Sequence, residues 1–137
     1  TALDVIIQAQ ILNLLKDLRE RLGISIMLLT HDLGVISEIA DAIAVMYAGE
    51  IVELGPSDLI YSSPKHPYTK GLMAAAPRIR GGSPGIASIP GHPPDLGNPP
   101  KGCRFGPRCS AAIPACERPP PMVELGAGHS VRCWLYG

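Results

Sequence analysis

The sequence has few aromatic residues, no excess of either charge and no long apolar run. Its 137 residues include one Phe and one Trp, and 12 acidic residues balance 12 basic ones. A balanced charge gives no electrostatic footprint for nucleic acid or for an anionic membrane surface. The longest apolar runs are about six residues, whereas a membrane-spanning helix needs about twenty. These absences disfavour nucleic-acid-binding and membrane-spanning proteins.

The residues that are present are distributed unevenly along the chain. Apolar, periodic sequence fills residues 1–60, whereas Pro and Gly dominate from residue 81 onward. The chain also opens with Thr rather than Met and leads directly into a helical pattern. We therefore expect a piece of a longer protein that contains more than one structural region.

The first sixty residues predict an α/β arrangement of helix, strand, helix and strand. Asp4 is a plausible N-cap for a long amphipathic helix that ends at Gly23. Apolar residues recur every three or four positions and define its expected inner face: Ile7, Ile11, Leu14, Leu18 and Leu22. The aliphatic run 24–29 predicts a strand buried on both faces.

The strand 24–29 is followed by Thr30, His31 and Asp32, the most informative polar cluster of this region. In open α/β sheets, ligands bind at the carboxyl ends of the strands, and an imidazole there can donate to a phosphate oxygen. The alternative role for His31 is structural, at the start of the next helix. The triplet alone favours the structural role.

The segments that follow predict smaller elements. A helix is expected over 32–40, and a hairpin over 42–54 turns at Ala48-Gly49. Ser57 is a plausible N-cap for a short helix, and a second short helix should open at His66-Pro67 and reach about residue 75. The sequence IPGHPPDLGNPPKG then predicts an extended connector without regular structure.

All four cysteines lie in the last 35 residues, at Cys103, Cys109, Cys116 and Cys133. This spacing lacks both the paired knuckles of structural zinc sites and the cysteine run of bacterial ferredoxins. Two disulfides, a four-cysteine zinc site and an iron–sulfur cluster are all compatible with it. Five prolines in this segment also argue against a helical or sheet-based core, so we expect cross-links to order it.

The motifs TALDV, LLTHDLG and DAIAVMYAGEIVELG occur in an order and spacing that resemble the C-terminal half of the ATPase subunit of ABC transporters. The resemblance covers residues 1 to about 60. It implies that Ala2, Leu3 and Asp4 belong to the D-loop at a dimer interface beside the nucleotide. It also implies that His31 is the histidine that contacts the γ-phosphate of ATP.

The motifs HPYTKGL, IPGHPPDL, GCRFGPRCSAAIPAC and GHSVRCW resemble the C-terminal extension of dipeptide and oligopeptide importer ATPases. The resemblance implies a [4Fe-4S] cluster, with zinc as the second choice, on the four cysteines as metal ligands. It also implies a cytoplasmic protein, where reduced thiols disfavour disulfides. Arg104, Arg108 and Arg132 flank the cysteines, and they either surround the site as cations or face solvent. We expect Phe105 and Trp134 to cover the site.

The resemblance also identifies what this sequence does not contain. It has no G-x-x-x-x-G-K-[ST] phosphate loop, no signature motif and no acidic strand for magnesium. Phosphoryl transfer needs those groups, so residues 1–137 alone should not hydrolyse ATP, although the parent protein would use ATP and Mg²⁺. The exposed edge of strand 24–29 should in turn make the isolated chain self-associate.

The expected domain organisation has four parts. Residues 1–60 would be the end of an ABC nucleotide-binding domain, and residues 61–80 the short helices of the importer extension. Residues 81–102 would be the connector, and residues 103–137 the four-cysteine tail. The resemblance implies a location at the inner face of the cell membrane. The implied partners are a second ATPase subunit, membrane-spanning permease subunits and, indirectly, a peptide-binding protein.

Overall fold

A computed structural model describes residues 5–75 and 89–137 as a mixed α/β chain. The chain divides into two compact units, Thr1–Ala40 and Asp41–Gly137, which are called here the first and second units. No helix within the described residues is long and apolar enough to cross a membrane. The four-part domain organisation expected from composition and motifs stays a prediction.

The first unit contains two helices, α1 (Val5–Leu22) and α2 (Leu33–Ile39). Helix α1 ends as predicted at Gly23, whose φ of 63° is a left-handed conformation that suits glycine. The Gly23 amide donates to the Arg19 carbonyl at 3.0 Å and so closes the last turn. The predicted N-cap of this helix, Asp4, lies outside the described residues.

Helix α1 does not bury the face that its periodicity predicts. Among the first-unit side chains that the structure describes, Leu12 is the buried apolar one, at 5% exposure. The predicted inner face is exposed instead, at Ile7, Ile11, Leu14, Leu18 and Leu22. Within the described part of the first unit, the other helix is the seven-residue α2, which is too short to cover a stripe five turns long.

The prediction of a doubly buried strand over residues 24–29 is also wrong. The segment has no regular secondary structure and pairs with no strand among the described residues. Its side chains are mostly exposed, reaching 88% at Met27 and 81% at Leu29. A strand is defined by ladder partners, and aliphatic sequence cannot form one without a neighbour.

The second unit is built on a four-stranded antiparallel sheet of order β1-β2-β4-β3. Its strands are β1 (Ala42–Tyr47), β2 (Glu50–Pro56), β3 (Met122–Glu124) and β4 (Ser130–Arg132). The predicted β1–β2 hairpin is confirmed. The expectation that the cysteine-rich tail forms no sheet is wrong, because β4 pairs with the edge of β2 that the hairpin offers.

An irregularity in the β1–β2 pairing decides which side chains enter the core. Val45 faces Glu53 and Met46 faces Ile51, so Val52 has no partner of its own. A bulge of this kind re-aims side chains within a strand. Val52 and Glu53 are consequently both buried although they are neighbours.

Two helices follow the hairpin, α3 (Ser57–Ser62) and α4 (Pro67–Ala75), close to their predicted bounds. Ser57 is not the N-cap. Pro56 occupies that position without a side-chain bond, while the Ser57 amide donates to the Asp41 carbonyl at 3.0 Å. The apolar core of the second unit contains Ile43, Val45, Tyr47, Val52, Ile60, Phe105, Val131 and Cys133.

Candidate functional site

His31 is an exposed residue that directly precedes the N-cap of α2. The Asp32 carboxylate caps the helix by accepting from the amides of Gly34 at 2.9 Å and Val35 at 3.3 Å. These backbone bonds, from Val35 first, lower the pKa of Asp32. Asp32 therefore performs the capping role, and the imidazole of His31 is accessible to a ligand.

A further contact ties this turn to α1, because Gln8 Nε2 donates to Asp32 Oδ2 at 3.5 Å. The Asp32 amide in turn donates to Thr30 Oγ1 at 3.0 Å. The turn that carries His31 is thus held on both sides. The other predicted nucleotide-site residues, Ala2, Leu3 and Asp4, lie outside the described residues.

The four cysteines are all free thiols within one segment of the second unit. The charge of Cys116 raises the pKa of Cys103, Cys109 and Cys133, as a weaker effect than their burial. Phe105 anchors the segment to the core, since its ring lies 5.1 Å from that of Tyr47. The fold therefore gathers the four thiols near one another.

Cys103 and Cys116 are the pair with the most direct contact. The Cys103 amide donates to the Cys116 carbonyl at 2.9 Å. A Cβ placed on Gly106 would lie 3.6 Å from Cys103 Cβ and 3.9 Å from Cys116 Cβ. Gly102 permits this approach, because a Cβ there would meet the Cys116 carbonyl oxygen at 2.3 Å. Both cysteines line a cavity of about 320 Å³ whose wall includes three prolines.

Burial is the largest influence on three of the thiols, and it raises the pKa of Cys103, Cys109 and Cys133. Lys70 acts on Cys133 in the opposite direction, as a weaker effect. The neutral thiol is thus favoured in this fold, whereas a metal ligand must be deprotonated.

The arginines that flank the cysteines bind other groups. Arg104 pairs with Glu50 at 3.1 Å and donates to the Ala48 carbonyl. Arg132 Nε donates to the Ile51 carbonyl at 3.2 Å. These guanidinium groups support the hairpin. We find no role for them in lowering thiol pKa.

Arg108 binds the connector. Its guanidinium donates to the carbonyls of Pro90 at 2.8 Å and of Ile89 and Gly91 at 3.0 Å. A fourth bond of 3.2 Å reaches the Tyr47 hydroxyl. The described end of the connector therefore lies over the second unit, as its composition suggested.

The two aromatic residues expected to shield the thiols, Phe105 and Trp134, contact other side chains. Phe105 packs against Tyr47, Tyr68 and His66. Trp134 lies over the Arg118 guanidinium at 5.1 Å, and its Nε1 donates to the Arg118 carbonyl at 2.9 Å.

Four thiols are suitable donors for zinc or an iron–sulfur cluster. However, in the described ranges 5–75 and 89–137, no group of three or more His, Cys, Asp or Glu side chains is arranged to hold a metal ion. The four thiols are chemically suitable ligands for such a centre, but in this structure they are not arranged to hold a metal ion.

Sequence reasoning missed a buried polar network centred on Glu53. This carboxylate is 0% exposed and accepts from the amides of Lys65 at 2.7 Å and His66 at 2.9 Å. Its Oε1 also lies 2.7 Å from Nε2 of the buried His129. Gly55 leaves room for that ring, because a Cβ there would be 2.9 Å from His129 Cδ2. The sequence feature that could have revealed this network is the charged Glu53 between the apolar Val52 and Leu54.

The HPY motif opens α4 and is part of the same network. His66 Nδ1 accepts from the Tyr68 amide at 3.1 Å, so the ring is a buried acceptor. Burial lowers the pKa of His66 to about 4, although the negative charge of Glu53 opposes that shift. Thr69 is also fully buried, and its Oγ1 has no hydrogen-bond partner. His66 and its neighbours thus have a structural role.

Comparison with known proteins places these motifs in a family. Residues 52–116 match the family model described as "Oligopeptide/dipeptide transporter, C-terminal region". The matched range contains Glu53, the HPY motif and three of the four cysteines. Residues 52–116 are therefore similar to the C-terminal region of oligopeptide and dipeptide transporters.

Relatives within the family are similar over nearly the whole chain. The oligopeptide transport ATP-binding protein OppD of Bacillus subtilis is 52% identical, over 98% of this chain and 38% of its own length. The dipeptide transport ATP-binding protein DppD of the same organism is 46% identical, over 98% of this chain and 41% of its own length. OppD of Haemophilus influenzae is 45% identical, over 98% of this chain and 42% of its own length. The chain thus spans about two fifths of the length of these relatives, and the family resemblance expected from the sequence is confirmed.

Proposed function

We propose that this chain is the C-terminal part of the ATP-binding subunit of an ABC importer of oligopeptides or dipeptides. The observation that carries the proposal is the 45–52% identity to transport ATP-binding proteins over nearly the whole chain. The parent would bind ATP with Mg²⁺, work with a second ATPase subunit and with permease subunits, and lie on the cytoplasmic face of the membrane. A peptide-binding protein would deliver the peptide to the importer.

In this proposal, His31 contacts the γ-phosphate of ATP, and Ala2, Leu3 and Asp4 line the interface with the second ATPase subunit. The exposed imidazole and the capped turn that holds it support the role of His31. An N–H donor aimed at the transferring phosphoryl group would stabilise the charge that develops there.

The test uses the full-length subunit with its His31→Ala variant. Loss of one such donor should lower ATP turnover by about 100-fold, with nucleotide binding retained in a fluorescent-nucleotide assay. His92→Ala, an exposed histidine of the connector, is the matched control and should retain full turnover. Turnover of His31→Ala close to that of the control would refute the assigned role.

We further propose that Cys103, Cys109, Cys116 and Cys133 bind a [4Fe-4S] cluster, with zinc as the alternative. The gathered free thiols support this site, and loading would require them to close around the group. A chain that holds a cluster would contain iron and sulfide in a fixed proportion and would absorb visible light, whereas a chain that holds zinc would be colourless. Iron, sulfide and zinc analysis of the chain and of Cys133→Ser would decide, because removing one ligand should abolish stoichiometric loading. A chain that binds neither metal would exclude both.

A metal-binding interaction module without ATPase activity is the second candidate function, supported by the same thiols. It predicts metal binding by residues 1–137 together with negligible ATP affinity. Tight ATP binding by this chain would contradict it, because the chain holds no phosphate loop.

A further inference from the structure

We propose that Cys103 and Cys116 form a redox modification site, closing to a disulfide when a low-molecular-weight disulfide such as oxidised glutathione is present. The inference concerns the metal-free chain and goes beyond the transport function. It would make thiol oxidation and metal loading mutually exclusive, because two of the four proposed ligands would be consumed.

Cys103 and Cys116 lie side by side in the fold. The Cys103 amide donates to the Cys116 carbonyl at 2.9 Å. A Cβ placed on Gly106 would contact the β-carbons of both cysteines, at 3.6 Å and 3.9 Å. In disulfides the two β-carbons are about 3.5–4.5 Å apart, so the bridge forms if the two side chains move to that separation.

The backbone on both sides of the pair is fixed. Gly102 lies so close to the Cys116 carbonyl that a side chain there would overlap it, and the bond from the Cys103 amide joins the two segments. Phe105, 4% exposed, inserts into the core two residues after Cys103. Cys116 lies within a short 3₁₀ helix, Pro114–Glu117, that begins at a proline. A pre-positioned pair has less freedom to lose on closure, which favours the bridge.

Reagents can reach the two thiols. Both cysteines are partly exposed and line the same 320 Å³ cavity, while Cys133 is buried. The cavity wall contributes Pro100, Pro107 and Pro114, which carry no competing nucleophile.

The chemistry balances in two exchange steps. One protein thiol, as its thiolate, attacks a sulfur of oxidised glutathione, forms a mixed disulfide and releases one glutathione thiol. The second protein thiolate attacks the protein sulfur of that mixed disulfide, forms the Cys103–Cys116 bond and releases the second glutathione. Two electrons pass from the protein thiols to the reagent, and the two protein protons end on the two glutathione thiols.

The test compares two metal-free double variants of the full 137-residue chain in glutathione buffers. Cys109→Ser with Cys133→Ser leaves the proposed pair. Cys116→Ser with Cys133→Ser leaves Cys103 and Cys109 as the matched control. Alkylation followed by intact mass measurement should show the proposed pair closing at an oxidised-to-reduced ratio about tenfold lower, equivalent to about 30 mV. Equal midpoints, or glutathione adducts in place of an internal bridge, would overturn the proposal.

The wild-type chain supplies a second readout that does not depend on the folding of a variant. After metal removal and oxidation, trypsin should release the peptide 102–104 linked to the peptide that begins at Cys109. Fragment ions should place the bond on Cys116. A bond from Cys103 to Cys109 or to the 133–137 peptide would refute the assignment, whatever the outcome for ATP binding.

Discussion

The two units of this chain use their apolar residues in opposite ways. The first unit is rich in aliphatic side chains but leaves them exposed, and local caps at Gly23 and Asp32 define its helices. The second unit contains more Pro and Gly, yet it buries a compact set of side chains around the hydrogen-bonded carboxylate of Glu53.

The difference shows that apolar content and burial are separate properties. Periodicity establishes that α1 is a helix, but a face becomes buried only where another layer covers it. In the second unit, a few polar contacts between distant residues bring such layers together. Glu53 joins groups that are 12, 13 and 76 positions away.

The strongest test of the comparison removes the Glu53 carboxylate. Glu53→Ala should destabilise the second unit by about 3–5 kcal/mol, because two amides and His129 would lose a buried acceptor. Denaturant unfolding followed by Trp134 fluorescence measures the loss. Glu50→Ala, which removes a partly exposed ion pair, is the control and should cost about 1 kcal/mol or less. Equal effects would mean that the buried network does not organise the unit.

The second test is the pH dependence that His66 creates. Its folded pKa of about 4 lies below the ordinary 6.5, so the unfolded chain binds the extra proton between these values. Stability should be full above pH 6.5 and should fall by up to about 3 kcal/mol as the pH decreases to 4. His66→Asn, which keeps an acceptor, should lose this component, whereas the exposed His92→Asn should keep it. Parallel pH profiles for wild type and His66→Asn would contradict the burial argument.

The third test concerns the backbone contact beside the thiols. Gly102→Ala should cost about 1–3 kcal/mol, because its Cβ would overlap the Cys116 carbonyl and force the segments apart. Gly97→Ala is the control, since its Cβ would meet only a movable Asp95 carboxylate. Thermal melting measures both. A Gly102→Ala variant as stable as Gly97→Ala would show that the approach is not tight.

The smallest effect on stability is expected in the first unit. Met27→Lys with Leu29→Lys should change the unfolding free energy by less than about 0.5 kcal/mol, since both side chains are exposed. The same pair should reduce the self-association expected of this apolar segment. Light scattering against concentration measures this, with Glu38→Lys as the charge control. A wild-type chain that stays monomeric throughout would exclude self-association.

The sequence predicted most elements because their signals are local. The α1 stop at Gly23, the hairpin turn at Ala48-Gly49 and the α4 start at Pro67 follow from glycine and proline conformations. The Asp32 cap was not predicted, because the expected helix 32–40 included Asp32 and the structural role at its start was given to His31. The family motifs also led to the correct family.

The errors arose where a structure depends on distant partners. Segment 24–29 has strand composition without a strand beside it, while the tail gained β4 because β2 offered an edge. The network of Glu53 with His129 joins residues far apart in the chain, and no local pattern encodes their meeting. The partners of Arg104 and Arg108, which the sequence left open, are likewise distant in the chain.

The bulge opposite Val45 and Met46 makes the length of β2 as important as its composition. A one-residue deletion at Val52 would remove both the bulge and a buried apolar side chain, while Glu53 would stay opposite the buried Val45. Most strands exposed to solvent tolerate conservative substitution, and this one should too at Ile51 and Leu54. Insertions and deletions are a different matter, and in recombined or shuffled versions of this region the hairpin should be exchanged only as an intact block.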